Sequence, residues 1–209
     1  MSILNVFVTP EAGLVGVDTE ATMPDGSIFE FGKMIAVPAA GAVVAFRGHG
    51  IVLMSAAPSI FCHGGSLEQL AEGIPGLINL AIDYCRKHYQ SPEEYFGLEL
   101  ALVGYSEAQS SVVGHLFRRA IGSEEISVDQ IHTRYRSPFW SEDDLPADIP
   151  VDRAGMMALA RQQSRLARDR MPELAAGGRF LIAEVRRHSI SIEQAFEFPK
   201  REPGSSGQS

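Results

Sequence analysis

Strand-like and helix-like segments follow one another along this chain in an order that restricts the folds open to it. Short β-rich runs come first, then two helical segments, two strands, one long helix and a last pair of strands. The predicted strands are 3–9, 14–22, 33–37, 42–46, 97–104, 112–118, 179–187 and 190–198. Strands grouped apart from helices are typical of antiparallel sheets covered by helices, whereas a parallel sheet requires strands and helices to alternate. The order therefore predicts an α+β protein.

The helical segments carry their own boundary signals. The predicted helices are 51–61, 67–88 and 151–171. Ser66, followed three residues later by Gln69, forms a capping box, which predicts that the second helix begins at Leu67. Pro75 is expected to kink this helix or divide it in two. Prolines and an acidic run at 142–144 lead us to expect irregular structure over 133–150.

Composition excludes several classes of function. The chain has 18 Lys and Arg against 26 Asp and Glu, a formal charge of −8, so binding to nucleic acid is not expected. No apolar run is long enough for a membrane span and no signal peptide is visible, so a cytoplasmic protein is expected. Two cysteines and six scattered histidines show no metal-binding spacing, and no dinucleotide-binding motif occurs, so neither a metal nor a cofactor is expected.

At 209 residues with 45% hydrophobic residues, the chain suits one domain with a sizeable core. We predict that this domain covers residues 1–198. The polar segment 199–209 is expected to be a disordered tail.

Asp18 is an unusual residue for its surroundings, because it lies in a predicted strand that is otherwise apolar. A buried carboxylate without a partner is energetically costly, so a cation is expected beside it. Lys33, the first basic residue of the chain, opens the next predicted strand. We predict an Asp18–Lys33 pair, which a purely structural ion pair would explain as well as a catalytic role.

Four local motifs resemble those of proteasome β subunits and their bacterial ring-protease relatives. Residues 16–22 (GVDTEAT) carry an Asp, a two-residue gap and Ala-Thr at the end of a strand, and Lys33 follows where the family has its active-site lysine. Residues 45–50 (AFRGHG) resemble the glycine-bearing turn before the first helix, and 173–178 (ELAAGG) resemble a later helix end. The resemblance covers residues 2–198. It implies an N-terminal-nucleophile hydrolase fold, a four-layer sandwich of two antiparallel sheets between two layers of helices.

The resemblance also implies a catalytic group of residues. Ser2 would be the nucleophile once Met1 is removed, and its free α-amine would be the base. Asp18 follows Ser2 by 18 − 2 = 16 positions, which is the family's separation. Lys33 would tune the nucleophile with Asp18 as its partner, and Glu173 stands where the family has an aspartate.

Three further residues are implied around the substrate. The backbone N–H near Gly48 would form the oxyanion hole, although this glycine would equally permit a tight turn. Thr22 would align an extended peptide through main-chain hydrogen bonds. Arg47, at the rim of the expected pocket, would either bind an acidic group of the substrate or face solvent.

The sequence thus predicts an N-terminal serine hydrolase that cleaves amide bonds in peptide or protein substrates within a self-assembled ring; an ATPase partner stays open. Two alternatives remain. A catalytically inactive ring subunit is suggested by Ala176, where the family has a serine. A small-molecule amidase that forms no ring is the other.

Overall fold

The computed structural model describes residues 2–22, 27–138, 141, 144–145, 148–171 and 177–200. The strands are β1 Leu4–Val8, β2 Gly13–Asp18, β3 Glu20–Thr22, β4 Ile28–Glu30, β5 Met34–Val37, β6 Ala42–Gly48, β7 Leu98–Ser106, β8 Ser111–Arg119, β9 Ile126–Ile131, β10 Arg134–Ser137, β11 Arg179–Arg186 and β12 Ser189–Glu197. The α-helices are α1 Gly50–Phe61, α2 Leu67–Tyr89 and α3 Arg153–Arg170. This order of strands, two helices, strands, one helix and strands is the predicted one.

The strands form two five-stranded sheets and one small ribbon. One sheet has the order β10-β1-β2-β11-β12, the other β5-β6-β7-β8-β9, and β3 pairs with β4. Every one of these pairings is antiparallel. The predicted α+β class is therefore confirmed.

Three hydrophobic clusters separate four layers of structure. The first lies between α1–α2 and the β5–β9 sheet, the second lies between the two sheets, and the third joins α3 to the outer face of the other sheet. The period-2 alternation of a strand explains how one strand serves two clusters. Val44 and Phe46 of β6 face the helices, whereas Val43 and Ala45 face the second sheet. The result is the predicted αββα sandwich.

Local predictions differ from the structure at three places. The predicted strand 14–22 is divided into β2 Gly13–Asp18, in a five-stranded sheet, and β3 Glu20–Thr22, in the ribbon. Residues 134–137, expected to be irregular, form strand β10 and pair with β1, for example Val6 with Tyr135. Their alternating pattern is too short to be recognised without its partner strand. Pro75 does not divide the second helix, since α2 runs unbroken from Leu67 to Tyr89 and keeps the predicted capping box of Ser66 and Gln69. The kink expected as the alternative stays a prediction.

The architecture brings one end of both sheets to the start of the chain. Ile3 and β1 pack against α3 on one side and face the space between the two sheets on the other. The start of β5 and the end of β6 lie beside them. In the described part of the chain, no helix is both long and apolar enough to cross a membrane.

Candidate active site

Ser2, Lys33 and Asp18 lie together at this end of the sandwich. Lys33 Nζ is 3.0 Å from Ser2 Oγ and 3.0 Å from Asp18 Oδ1. The side chains of Lys33 and Asp18 are 4% and 0% exposed, so their ion pair is fully buried. The predicted Asp18–Lys33 ion pair is therefore present. The Ser2 hydroxyl, predicted to be the nucleophile, also contacts Lys33.

Backbone groups complete the coordination of this pair. Lys33 Nζ also donates to the carbonyl oxygen of Glu20, so all three of its N–H groups have acceptors. Asp18 accepts from Ile3 N at 2.8 Å and from Gly177 N at 3.3 Å. A buried charge is tolerated only when it is paired and hydrogen-bonded, and both charges here meet that condition.

Arg47 contacts the backbone of the residue predicted as the nucleophile. Its Nε donates to the carbonyl oxygen of Ser2 at 2.9 Å, and its NH1 group lies 3.1 Å from Glu99 Oε2. The side chain is 28% exposed, so it neither faces solvent freely nor is buried. Arg47 also lines the adjoining cavity, where its predicted contact with substrate stays a prediction.

Gly48 ends β6 in a conformation that L side chains rarely adopt, with φ of +153°. A Cβ added there would lie 3.0 Å from Leu98 Cβ and 3.1 Å from Gly97 O. Phe46, two residues earlier, donates its N–H to the Lys33 carbonyl. Alternate residues of a strand direct their N–H groups to the same edge, so the N–H of Gly48 is directed to the β5 edge of β6. Its position suits a donor to a developing oxyanion, the role predicted from sequence.

His49 links this turn to helix α1. Its Nδ1 accepts from Ile51 N at the start of the helix, and its ring stacks on Tyr95 with centroids 3.8 Å apart. Burial lowers the pKa of His49 below its usual value. Because Nδ1 accepts a hydrogen bond, the neutral ring carries its proton on Nε2. No sequence motif predicted a role for His49; its place between two glycines was the available signal.

A cavity of about 1260 Å³ opens beside Ser2. Apolar side chains supply most of its wall: Phe29, Phe31, Ile51, Met54, Leu98 and Ile121. Met54 and Ile121 are each 64% exposed, which places apolar surface at the rim as well as inside. Clefts of this size and character are typical of ligand sites.

The remaining predicted residues are placed as follows. Thr22 ends β3 opposite Ile28, and its neighbours Glu20 and Ala21 line the cavity. Glu173 and Ala176 lie outside the described residues. Glu99 and Tyr135 contribute to the site but had no recognisable motif. Within the described ranges, no group of three or more His, Cys, Asp or Glu side chains is arranged to hold a metal ion.

We expect Gly48→Ala to lower both stability and activity. The methyl group would meet Leu98 and force the backbone from its φ of +153°, a strain worth about 1–3 kcal/mol of unfolding free energy. Rotation of the Gly48 amide would also turn away the N–H predicted to form the oxyanion hole, and the loss of such a donor costs about 10²–10³ in kcat. Urea unfolding and steady-state kinetics measure the two effects. Gly32→Ala is the control, since a Cβ there meets nothing within 4 Å.

We expect the stability contributed by His49 to decline as the pH falls. Its folded pKa lies below its unfolded value of about 6.5, so its contribution is complete above that pH and is lost below it. Protonation removes the Nδ1 acceptor that caps α1, which is worth at most about 1 kcal/mol because the ring is only partly buried. His49→Asn keeps an acceptor and does not titrate. Between about pH 7.5 and about pH 5 this variant should lose less melting temperature than the wild type; an equal loss in both would contradict the expectation.

Comparison with known proteins places the architecture. No family model matches the chain, and no curated protein sequence matches it. Among solved structures it is similar to the Anbu (Gly-1) mutant from Hyphomicrobium sp. strain MC1, with 11% identity, a TM-score of 0.67, and coverage of 94% of this chain and 88% of that one. It is also similar to Anbu (ancestral beta-subunit) from Yersinia bercovieri, with 13% identity, a TM-score of 0.64 and the same coverage of 94% and 88%. The chain therefore has the αββα sandwich fold of the proteasome-like N-terminal-nucleophile hydrolases.

Proposed function

We propose that this chain is an N-terminal serine hydrolase of peptide or other amide bonds, with Ser2 as nucleophile after removal of Met1. The observation that carries the proposal is the contact of Ser2 Oγ with the buried Lys33–Asp18 pair at 3.0 Å. An ion pair serving stability alone would not need a hydroxyl of the second residue as its third partner. The small side chain of Ser2 is also what removal of an initiator methionine generally requires.

The geometry supports a two-stage reaction. The Ser2 Oγ–H proton passes to the free α-amine as Oγ bonds to the substrate carbonyl carbon, and the carbonyl oxygen becomes an oxyanion facing the Gly48 N–H. The intermediate then collapses, the C–N bond breaks, and the α-ammonium returns the proton to the leaving amine. Water hydrolyses the resulting Ser2 ester by the same proton route. Lys33 lowers the cost of negative charge on Oγ throughout.

The cavity supports substrates with a bulky apolar group next to the cleaved bond. Its wall presents aromatic and aliphatic side chains close to Ser2, and burying such a side chain contributes about 1.5–3 kcal/mol. Charged side chains of both signs also line the cavity: Lys33, Arg47 and Arg119 as well as Glu20, Glu94 and Glu99. The apolar character of most of the wall therefore favours an apolar group over an acidic one, which would lose its hydration there.

Self-assembly is part of the proposal. Large apolar side chains stand exposed on the neighbouring helices α1 and α2: Met54, Phe61, Leu80, Tyr84 and Tyr89. Exposed apolar residues grouped in this way are typical of protein–protein interfaces. The native mass of the purified protein tests the assembly, and a monomer would contradict it.

The experiment that tests the activity combines intact mass with covalent labelling. Untagged protein is expected to lack Met1 and to be acylated at Ser2 by a β-lactone that carries an aromatic side chain. A lactone with an acidic side chain should react more slowly. Retention of Met1 in the mature protein, or labelling elsewhere in the chain, would overturn the hydrolase proposal and favour an inactive ring subunit of the same fold.

A further inference from the structure

The peptide unit between Ser2 and Ile3 is held at both ends by side chains from other parts of the chain. Its carbonyl oxygen, on Ser2, accepts from Arg47 Nε at 2.9 Å. Its N–H, on Ile3, donates to Asp18 Oδ1 at 2.8 Å. The Ser2 hydroxyl is held separately by Lys33. Chain ends are normally mobile unless tied down, so three contacts on two residues form an unusually complete anchor.

Arg47 is itself held in place by Glu99. The two residues are opposite each other in the register of β6 and β7, so their side chains leave the same face of the sheet. The guanidinium NH1 lies 3.1 Å from Glu99 Oε2, and the side chains are 28% and 21% exposed. One guanidinium thus uses separate N–H groups for the carboxylate and for the Ser2 carbonyl, which a flexible monodentate cation would do less well.

Tyr135 extends this arrangement to the second sheet. It lies on β10, which pairs with β1, and its phenol lies close enough to Glu99 and Ser137 for both to influence its pKa. Burial, reinforced by the Glu99 charge, raises the pKa of Tyr135 to about 12. Glu99 thus pairs with Arg47 from its own sheet and lies near the Tyr135 phenol of the other.

These contacts determine where the α-amine of Ser2 must lie. The Ser2 Cα is a tetrahedral chiral centre, and its bonds to the carbonyl carbon and to Cβ are both directed by anchored groups. Once two substituents of such a centre are placed, the directions left for the nitrogen and the hydrogen follow from chirality. The amine needs no anchor of its own to be held beside Oγ.

We infer that Arg47, oriented by Glu99, is a positioning residue that sets the α-amine of Ser2 in reach of Oγ. The inference rests on the proposed function, because it concerns the amine as catalytic base. It replaces the substrate-binding role predicted for Arg47 from sequence with a role inside the protein. Positioning within a fraction of an ångström matters, since a displacement of about 1 Å costs roughly 10² in rate.

Positioning and substrate binding predict different kinetics for Arg47→Met, which keeps most of the aliphatic bulk and removes the donors. If Arg47 positions the amine, kcat should fall about 10–100-fold with little change in KM. If Arg47 binds an acidic substrate group, KM should rise for acidic substrates and kcat should be unchanged. Arg187→Met is the matched control, because it removes an exposed Arg–Glu pair, with Glu107, that includes none of the residues around Ser2.

A second measurement does not depend on activity. Hydrogen exchange at the Ile3 amide reports on the same peptide unit that Arg47 holds, and NMR spectroscopy of isotope-labelled protein measures it at this single residue. We expect at least about tenfold faster exchange in Arg47→Met than in wild type or Arg187→Met, because the carbonyl anchor is lost.

The outcomes separate the two proposals. If no lactone labels the wild-type protein, the hydrolase proposal is refuted. Exchange at the Ile3 amide would still test whether Arg47 anchors the peptide unit between Ser2 and Ile3. A labelled wild type whose Arg47→Met variant keeps its kcat would overturn the positioning role alone. Unchanged exchange in Arg47→Met would overturn it in either case.

Discussion

Lys33→Met is expected to reduce amide hydrolysis by at least about 10³-fold and to lower the free energy of unfolding by about 3–5 kcal/mol. The rate falls because the variant lacks the Lys33 ammonium, which lies 3.0 Å from Ser2 Oγ and stabilises negative charge on that oxygen. Stability falls because Asp18, whose side chain is 0% exposed, is left as an uncompensated buried carboxylate. Lactone labelling kinetics and urea unfolding measure the two losses.

A double variant separates these two effects. Asp18→Asn combined with Lys33→Met removes both charges, and the amide oxygen of Asn can still accept from Ile3 N. Stability should recover by about 1–4 kcal/mol relative to Lys33→Met, because no unpaired charge remains. Activity should not recover. A single Lys33→Met variant with wild-type hydrolysis would remove Lys33 from the mechanism, and one with wild-type stability would show that Asp18 is not charged and buried as described.

Ser2→Ala is expected to abolish labelling at the second residue and to reduce hydrolysis by at least about 10⁴-fold. Alanine is as small as serine, so removal of Met1 should continue and the α-amine should still be exposed. The substitution removes one acceptor of Lys33, which keeps its contacts to Asp18 and to the Glu20 carbonyl. Stability should fall by about 1–3 kcal/mol, because one N–H of the buried Lys33 ammonium loses its acceptor.

Ser2→Thr is the control for the hydroxyl. Threonine keeps the nucleophile and adds a methyl group that restricts χ1, so labelling and hydrolysis should persist. Intact mass, lactone labelling and hydrolysis of an amide substrate are measured on all three proteins. Persistent hydrolysis by Ser2→Ala would show that another residue carries the reaction, and the role of Lys33 would then need a different explanation.

Much of the architecture could be predicted because its signals are local. The capping box at Ser66 located the start of α2, and β-rich runs located the central strands. Strand β10 was missed because four residues in isolation carry too little pattern, and only pairing with β1 gives Tyr135 its place. The continuity of α2 through Pro75 was likewise decided by packing of the helix against the sheet, which outweighs a local preference.

The sequence alone determined the order of elements. It also predicted the Asp18–Lys33 pair, because a carboxylate in an apolar strand requires a cation and Lys33 is the first basic residue of the chain. It places Ser2 16 positions before Asp18, the separation that the family resemblance implies. Only the tertiary structure decided what Arg47 touches, since Glu99 is 52 positions away and Tyr135 belongs to the other sheet. Such contacts depend on the register of strands and on how the sheets stack, and both are set by burial of the whole core rather than by any local run of residues.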